Sequence, residues 1–380
     1  MSVIRSDQRI SILRPAFNIL KICGCWRPSK CYNRPRQIGY VFYTFFVCTL
    51  LYSFCISQFL NVILNVRTAD DLSEGLYMFI ASILACCKIA TLLINHKGIK
   101  ILVRKLVKEP CKPEDDHEST IQNKFDESIG SMTIYYTILV EITVVCMILS
   151  SVFTDFKDRK LLYSAWIPFD YSTSNLYYIV YLHQVVALIG TSLLNVACDV
   201  IVCGLLVHAC SQQEILKYRL KGMIEKSNAN MGKIVRFHDY LYGYAAMVQE
   251  KFKIIIGVQL VSSTLVVCFI MYKLTNTPMS SKYLQFVLYM ACMMSQIFFY
   301  CWYGNELKLK SVEMVDAISE MDWILLDKNN KKNLINIIRR ALNPIELSSA
   351  YMYTMDLDTF VSILKMSYSA YNLLQRTKES

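Results

Sequence analysis

The chain has 380 residues, 54% of them hydrophobic and 18% charged, with only 12 Gly and 8 Pro. That balance excludes a disordered or collagen-like chain, and 15 Cys, an odd number thinly spread, excludes a disulfide-built secreted scaffold. The net charge of +10 sits in blocks between long uncharged runs rather than among stacking aromatics, a pattern of membrane topology and not of nucleic-acid binding.

A helix needs roughly 20 mostly apolar residues to cross about 30 Å of hydrocarbon. In chain order, after a basic segment over 1–36 that lacks a signal-peptide core, seven stretches qualify as candidate spans. The first runs from Gln37 to Val66, the second from Gly75 to His96 with Lys88 inside, and the third from Ser128 to Thr154 with Glu141 inside. The fourth lies within Tyr171 to Gln213 and contains Asp199, a stretch long enough to project beyond the bilayer. Ile254 to Tyr272 and Tyr283 to Asn305 are uncharged. The seventh, Thr359 to Gln375, carries Lys365 and is rich in Ser, Tyr and Asn, which points to a wetted face.

Alternating the sides of these spans places 30 of the 40 Lys and Arg on the side of the N-terminus and 8 on the other, the remaining two lying within spans. Because cationic residues accumulate in the cytoplasm, the N-terminus is expected inside and the C-terminus outside. The long loops 208–252 and 306–342 fall inside. Within the second, Leu334, Ile337, Ile338 and Ala341 form an apolar i, i+3, i+4, i+7 stripe, which must pack either within its own subunit or against another.

Signatures of enzyme chemistry are missing: there is no H-E-x-x-H, no G-x-x-x-x-G-K-[ST], no G-x-G-x-x-G and no C-x-x-C. No enzyme, cofactor or metal is expected. Ser362 and Lys365 form S-x-x-K without its partner motifs, and Cys23, Cys25 and Cys31 have no standard zinc spacing. Lys88, Glu141 and Asp199 are more informative, since an ionisable group inside a span faces a partner or water; an ion pair and a ligand or ion site both fit them. In the outer halves of the spans, Phe79, Tyr181 and Tyr289 lie deeper than an interfacial aromatic belt requires. With Met78, Tyr178 and His183 they are candidates for an apolar small-molecule pocket, helix packing being the alternative for each.

The C-terminal third carries a family pattern. FFYCWYGNELKLKS over 298–311, Trp323, the basic helix KKNLINIIRRALNPIEL over 331–347 and LDTFVSILKMSYSAYNLLQ over 357–375 resemble the insect odorant receptor family. The last block is the most specific, with Phe360, Ile363 to Lys365, Ser367 to Ser369, Tyr371, Leu373 and Leu374 in the family's order; Ala370 departs from it, standing where an aromatic is often found. The Thr-Tyr and Gln-Phe ending of the related gustatory receptors is not matched.

The resemblance implies an all-α, seven-span subunit of inverted topology in a tetrameric, odorant-gated, non-selective cation channel of the sensory-neuron plasma membrane. It also implies assembly with the odorant receptor co-receptor and no need for a G protein. By the same resemblance, residues 37–305 would form spans one to six around the odorant pocket, and 306–342 a cytoplasmic anchor with the first half of helix seven. Trp323, Leu334, Ile337, Ile338 and Ala341 would then serve subunit contact. Residues 343–380 would supply the pore-lining half of that helix and a short outer tail, with Ser362, Met366, Ser369 and Leu373 on one face of the pore and Leu373 at its hydrophobic gate.

Overall fold

The computed structural model describes residues 13–27, 34–65, 69–154, 156, 158–171, 174–225, 231–349 and 353–379. Cys31 lies outside them. Long uncharged runs with few Gly and Pro leave the backbone no partner in lipid except itself, and the result is a bundle of helices. In chain order they are α1 (Arg14–Ile22), α2 (Arg34–Leu64), α3 (Ala69–Ile94), α4 (His96–Val107), α5 (Asp116–Thr154) and α6 (Ser174–Glu225). After them come α7 (Met231–Asn276), α8 (Ser281–Ser319), α9 (Lys328–Ala341) and α10 (Leu357–Glu379).

Among the described residues six helices are long and apolar enough to cross a membrane: α2, α3, α5, α6, α7 and α8. On α2 the aromatic residues Phe42, Phe45 and Phe46 point outward, as expected where the solvent is lipid. Helix α6 packs against α5, α7 and α8 and is buried along most of its length, including Ala197, Cys198, Ile201 and Leu205.

Helices do not stop where hydropathy does. The charged stretches 208–252 and 306–342, expected from the sequence as cytoplasmic loops with helical spacing, are mostly continuations of the spans: α6 runs on to Glu225, α7 begins at Met231, and α8 crosses the expected boundary at 305 and ends at Ser319. Charge ends a membrane span but not a helix, because Lys, Glu and Gln are good helix formers in water. The extensions are held by side-chain contacts. Arg219 of α6 grips the Glu118 carboxylate of α5 through Nε and Nη2, at 2.6 and 2.7 Å.

At this end α9 packs onto α7 and α8. Leu334, Ile337 and Ala341 are buried against Ile234, Phe237, Leu241, Met314 and Ile318, with Ile338 half-buried beside them. The apolar stripe is therefore consumed within its own chain. Trp323, in a short turn before α9, stays 43% exposed, and Ile324 and Ile335 are exposed as well.

Helix seven is not one helix. Between α9 and α10 the chain makes a small antiparallel hairpin, Ser348–Ser349 against Tyr353–Thr354. Met355 then crosses α8 so closely that a Cβ on Gly304 would lie 2.3 Å from the Met355 carbonyl oxygen. Asp356 caps α10, accepting from the Thr359 N–H at 2.8 Å and the Thr354 hydroxyl at 2.6 Å. Burial opposes its charge, but these bonds and the nearby Lys308 hold its carboxyl below the usual range.

Helix α10 packs on α7 and α8 through Phe360, Ile363 and Ser367, the last donating to the Thr264 carbonyl of α7. Its opposite face, with Ser362, Met366, Ser369 and Leu373, is exposed, as is Lys365.

Candidate ligand-binding cavity

A cavity lies inside the bundle, toward the end where α3, α6 and α8 begin. Its volume is about 70 Å³, several times the ~10–15 Å³ that a single water needs. Five helices wall it. Met78, Ala81 and Leu84 come from α3, and Leu188, Thr191, Ser192 and Asn195 from α6. Ser262, Ser263 and Val266 belong to α7, and Tyr289, Cys292, Met293 and Gln296 to α8. Helix α5 adds Tyr136, Val140, the adjacent Thr143 and Val144, and Met147, which repeat at helical spacing along one face.

One end is closed by aromatic rings. Tyr77 meets Phe286 and Tyr289 edge to face, with centroids 5.9 and 5.7 Å away, and the Tyr163 hydroxyl approaches the Met147 sulfur at 3.2 Å. Beyond this lid a second, more polar recess is lined by Asn61, Tyr77, Met147, Ser150, Lys160 and Gln285.

The other end rests on a buried polar network. The Asp199 carboxylate of α6 accepts from Lys88 at 2.5 Å, from the Tyr300 hydroxyl at 2.8 Å, from the Tyr136 hydroxyl at 3.1 Å and from the Gln296 amide. Gln259 of α7 extends the network, donating to Gln296 Oε1 and to the Ser263 hydroxyl, each at 2.7 Å. A charge in a membrane span is costly unless paired and hydrogen-bonded, and here it is both. Glu141 stands apart and accepts from Ser192 at 3.1 Å. Tyr136, Gln296, Ser192 and Ser263 thus belong both to the cavity wall and to the polar groups behind it.

Of the six residues expected to bind a ligand, the structure brings Met78 and Tyr289 to the cavity. The other four lie elsewhere. Phe79 stacks on Phe59 of α2, at 5.5 Å. Tyr181 is buried but donates to Ser151 and packs on Phe156 and Tyr177. Tyr178 is 54% exposed. His183 shares a hydrogen bond with Ser53 of α2, at 3.0 Å. Phe79, about 100° further round α3 than Met78, turns toward α2 instead. Missed were Tyr136, Thr143, Asn195, Ser262, Ser263 and Gln296. Their signal was the isolated polar residue inside an apolar span, which reading for aromatics passes over.

This geometry defines a class: a polytopic helical membrane protein with an internal, largely apolar cavity of the kind that takes small molecules. The family follows from comparison. Residues 68–368 match the model of the 7tm odorant receptor family, and the chain belongs to that family. It is similar to odorant receptor Or1 of Anopheles gambiae, 22% identical over 94% of this chain and 93% of that one. Odorant receptor 10 of Aedes albopictus is 27% identical over 69% of this chain and 72% of that one. The structure of the insect olfactory receptor OR5 from Machilis hrabei in complex with eugenol superposes over 99% of this chain and 100% of that one, with a TM-score of 0.89 at 18% identity. The helical membrane fold expected from the sequence is the one observed, apart from the short hairpin between α9 and α10.

Proposed function

We propose that this odorant receptor is a ligand-tuning subunit of a tetrameric, odorant-gated, non-selective cation channel, assembled with the odorant receptor co-receptor in the plasma membrane of olfactory sensory neurons. A small volatile enters the cavity from the outer side, and its occupancy biases the bundle toward an open pore lined by α10. The observation that carries this reading is the pairing of an internal, largely apolar cavity with an exposed face on α10 in which Ser362, Ser369, Met366 and Leu373 align. A ring of subunits would turn that face toward a shared axis, where hydroxyls tolerate ions and leucines can dewet. That OR5 of Machilis hrabei binds eugenol is consistent with it.

The N-terminus is cytoplasmic in this reading, which follows from the charge distribution. The test is electrophysiological. Cells expressing the chain together with the co-receptor should pass cation current when given a panel of volatiles, and cells expressing either alone with an inert partner should not respond to the same panel. Current that requires a G protein, or labelling of an N-terminal epitope on intact cells, would reject the proposal.

A further inference from the structure

Among the described residues the cavity carries no charged side chain on its wall, and the acids behind it are already engaged: Asp199 by Lys88, Tyr136, Tyr300 and Gln296, and Glu141 by Ser192. A charged ligand would find no counter-ion there, so the occupant is neutral. Most of the polar wall is also satisfied. The Thr143 hydroxyl donates to the Leu139 carbonyl at 2.8 Å, and Ser263 accepts from Gln259 at 2.7 Å. Two buried polar atoms of the wall have no protein partner, the Tyr289 hydroxyl and Asn195 Oδ1.

These two atoms mark opposite poles. Tyr289 stands at the aromatic lid, its ring 5.7 Å from Tyr77. Asn195 precedes Asp199 by one helical turn and so lies beside the polar floor. The poles differ in chemistry: the Tyr289 hydroxyl can donate to any oxygen acceptor, whereas the Asn195 carbonyl oxygen only accepts and is satisfied by an O–H or N–H. Buried polar atoms are ordinarily hydrogen-bonded, and a neutral ligand that completes them binds at an advantage over one that leaves them bare.

We propose that the cavity selects neutral volatiles bearing a hydroxyl group over ketones, and ketones over hydrocarbons, of the same carbon skeleton. An alcohol or phenol can complete either pole; a carbonyl only accepts, so it can complete the Tyr289 hydroxyl but leaves Asn195 Oδ1 bare; a hydrocarbon leaves both bare. The inference rests on the cavity being the ligand site, and the test separates the two.

Binding to the purified full-length chain is measured for 1-phenylethanol, acetophenone and ethylbenzene, and again for 2-heptanol, 2-heptanone and heptane. Each step down either series should cost about tenfold in Kd, equivalent to ~1.4 kcal/mol. Asn195→Leu should bring the alcohols to the level of the ketones, and Tyr289→Phe should remove the ketones' advantage over the hydrocarbons; gel filtration of both variants controls for folding. Met293→Trp, or Ala81→Leu if that variant does not fold, fills the cavity and should abolish binding of all six compounds. If binding is abolished by the filled cavity but shows no ranking, the hydroxyl preference is wrong and the site stands. If no compound binds, or filling the cavity changes nothing, both fall.

Discussion

Lys88 Nζ lies 2.5 Å from Asp199 Oδ1, with side-chain exposures of 0% and 4%, so that α3 and α6 are joined by an ion pair inside the bundle. Removing either partner alone leaves a buried charge without its counter-charge, at a cost of about 3–5 kcal/mol. Lys88→Met and Asp199→Leu should each sharply lower the thermal stability of the purified protein and its surface expression. The double substitution should recover much of the loss. If the double variant is worse than both singles, the pair contributes more than mutual neutralisation.

The cavity wall and its surroundings should separate in mutagenesis. Met78→Ala and Tyr289→Ala remove apolar contact at the ligand, each weakening binding by about 1–3 kcal/mol. Phe79→Ala, Tyr178→Ala and His183→Ala lie off the wall and should shift the ligand Kd by less than about 0.5 kcal/mol at matched surface expression. A large loss of affinity at Phe79 with none at Met78 would place the ligand between α2 and α3 instead.

The difference between those two groups shows what the sequence made legible. Apolar run length and charge spacing are properties of one segment, so the spans, the C-terminal family block and the exposed face of α10 could be read directly. The pocket is a property of five helices at once. Tyr289 was found because aromatics stand out, yet Tyr136, Asn195 and Gln296 depend on rotations about helix axes that only tertiary packing sets. The ion pair shows the same limit: Lys88 and Asp199 were noticed as charges in spans, but 111 residues separate them and nothing local says which of Lys88, Glu141 and Asp199 meet.

Gly304 is needed for contact between α8 and the leader of α10. A Cβ there would meet the Met355 carbonyl oxygen at 2.3 Å and the Met355 Cβ at 2.5 Å, forcing backbone to move. Gly304→Ala should cost about 1–3 kcal/mol and alter gating more than ligand affinity. Gly243, on α7, has nothing within 4 Å of the same position, so Gly243→Ala should be neutral or stabilise by about 0.5–1 kcal/mol. Thermal melts and dose-response curves of the two variants make the comparison.

At the far end, stability and assembly should come apart. Leu334→Asp and Ile337→Asp place a carboxylate in a cluster buried within the chain and should lower monomer stability by several kcal/mol, with Ile338→Asp intermediate. Trp323→Ala and Ile335→Asp alter exposed positions and should leave the melting temperature within a few degrees while reducing co-purification with the co-receptor. Unchanged co-purification in both would move the subunit contact away from α9.

For the proposed pore, Leu373→Ala should raise basal leak or shift odorant efficacy in part, because the proposed co-receptor subunits would supply the remaining gate residues, and Leu373→Lys should reduce cation permeability. Basal current, efficacy and ion selectivity identical to the parent in both variants, at equal surface expression, would remove Leu373 from the conduction path.

Helix α6 has 52 residues, which at 1.5 Å per residue is about 78 Å, more than twice the thickness of the hydrocarbon it crosses. Thr191, Ser192 and Asn195 at the cavity and Arg219 in its grip on Glu118 therefore sit on one continuous rod. Between Asn195 and Arg219 the rod is roughly 36 Å long. A tilt of about 5° pivoting near the cavity swings Arg219 sideways by about 3 Å, enough to break a hydrogen bond. Uninterrupted helicity would thus carry a small rearrangement around a few-atom guest to the Arg219–Glu118 contact as a displacement of bond-breaking size.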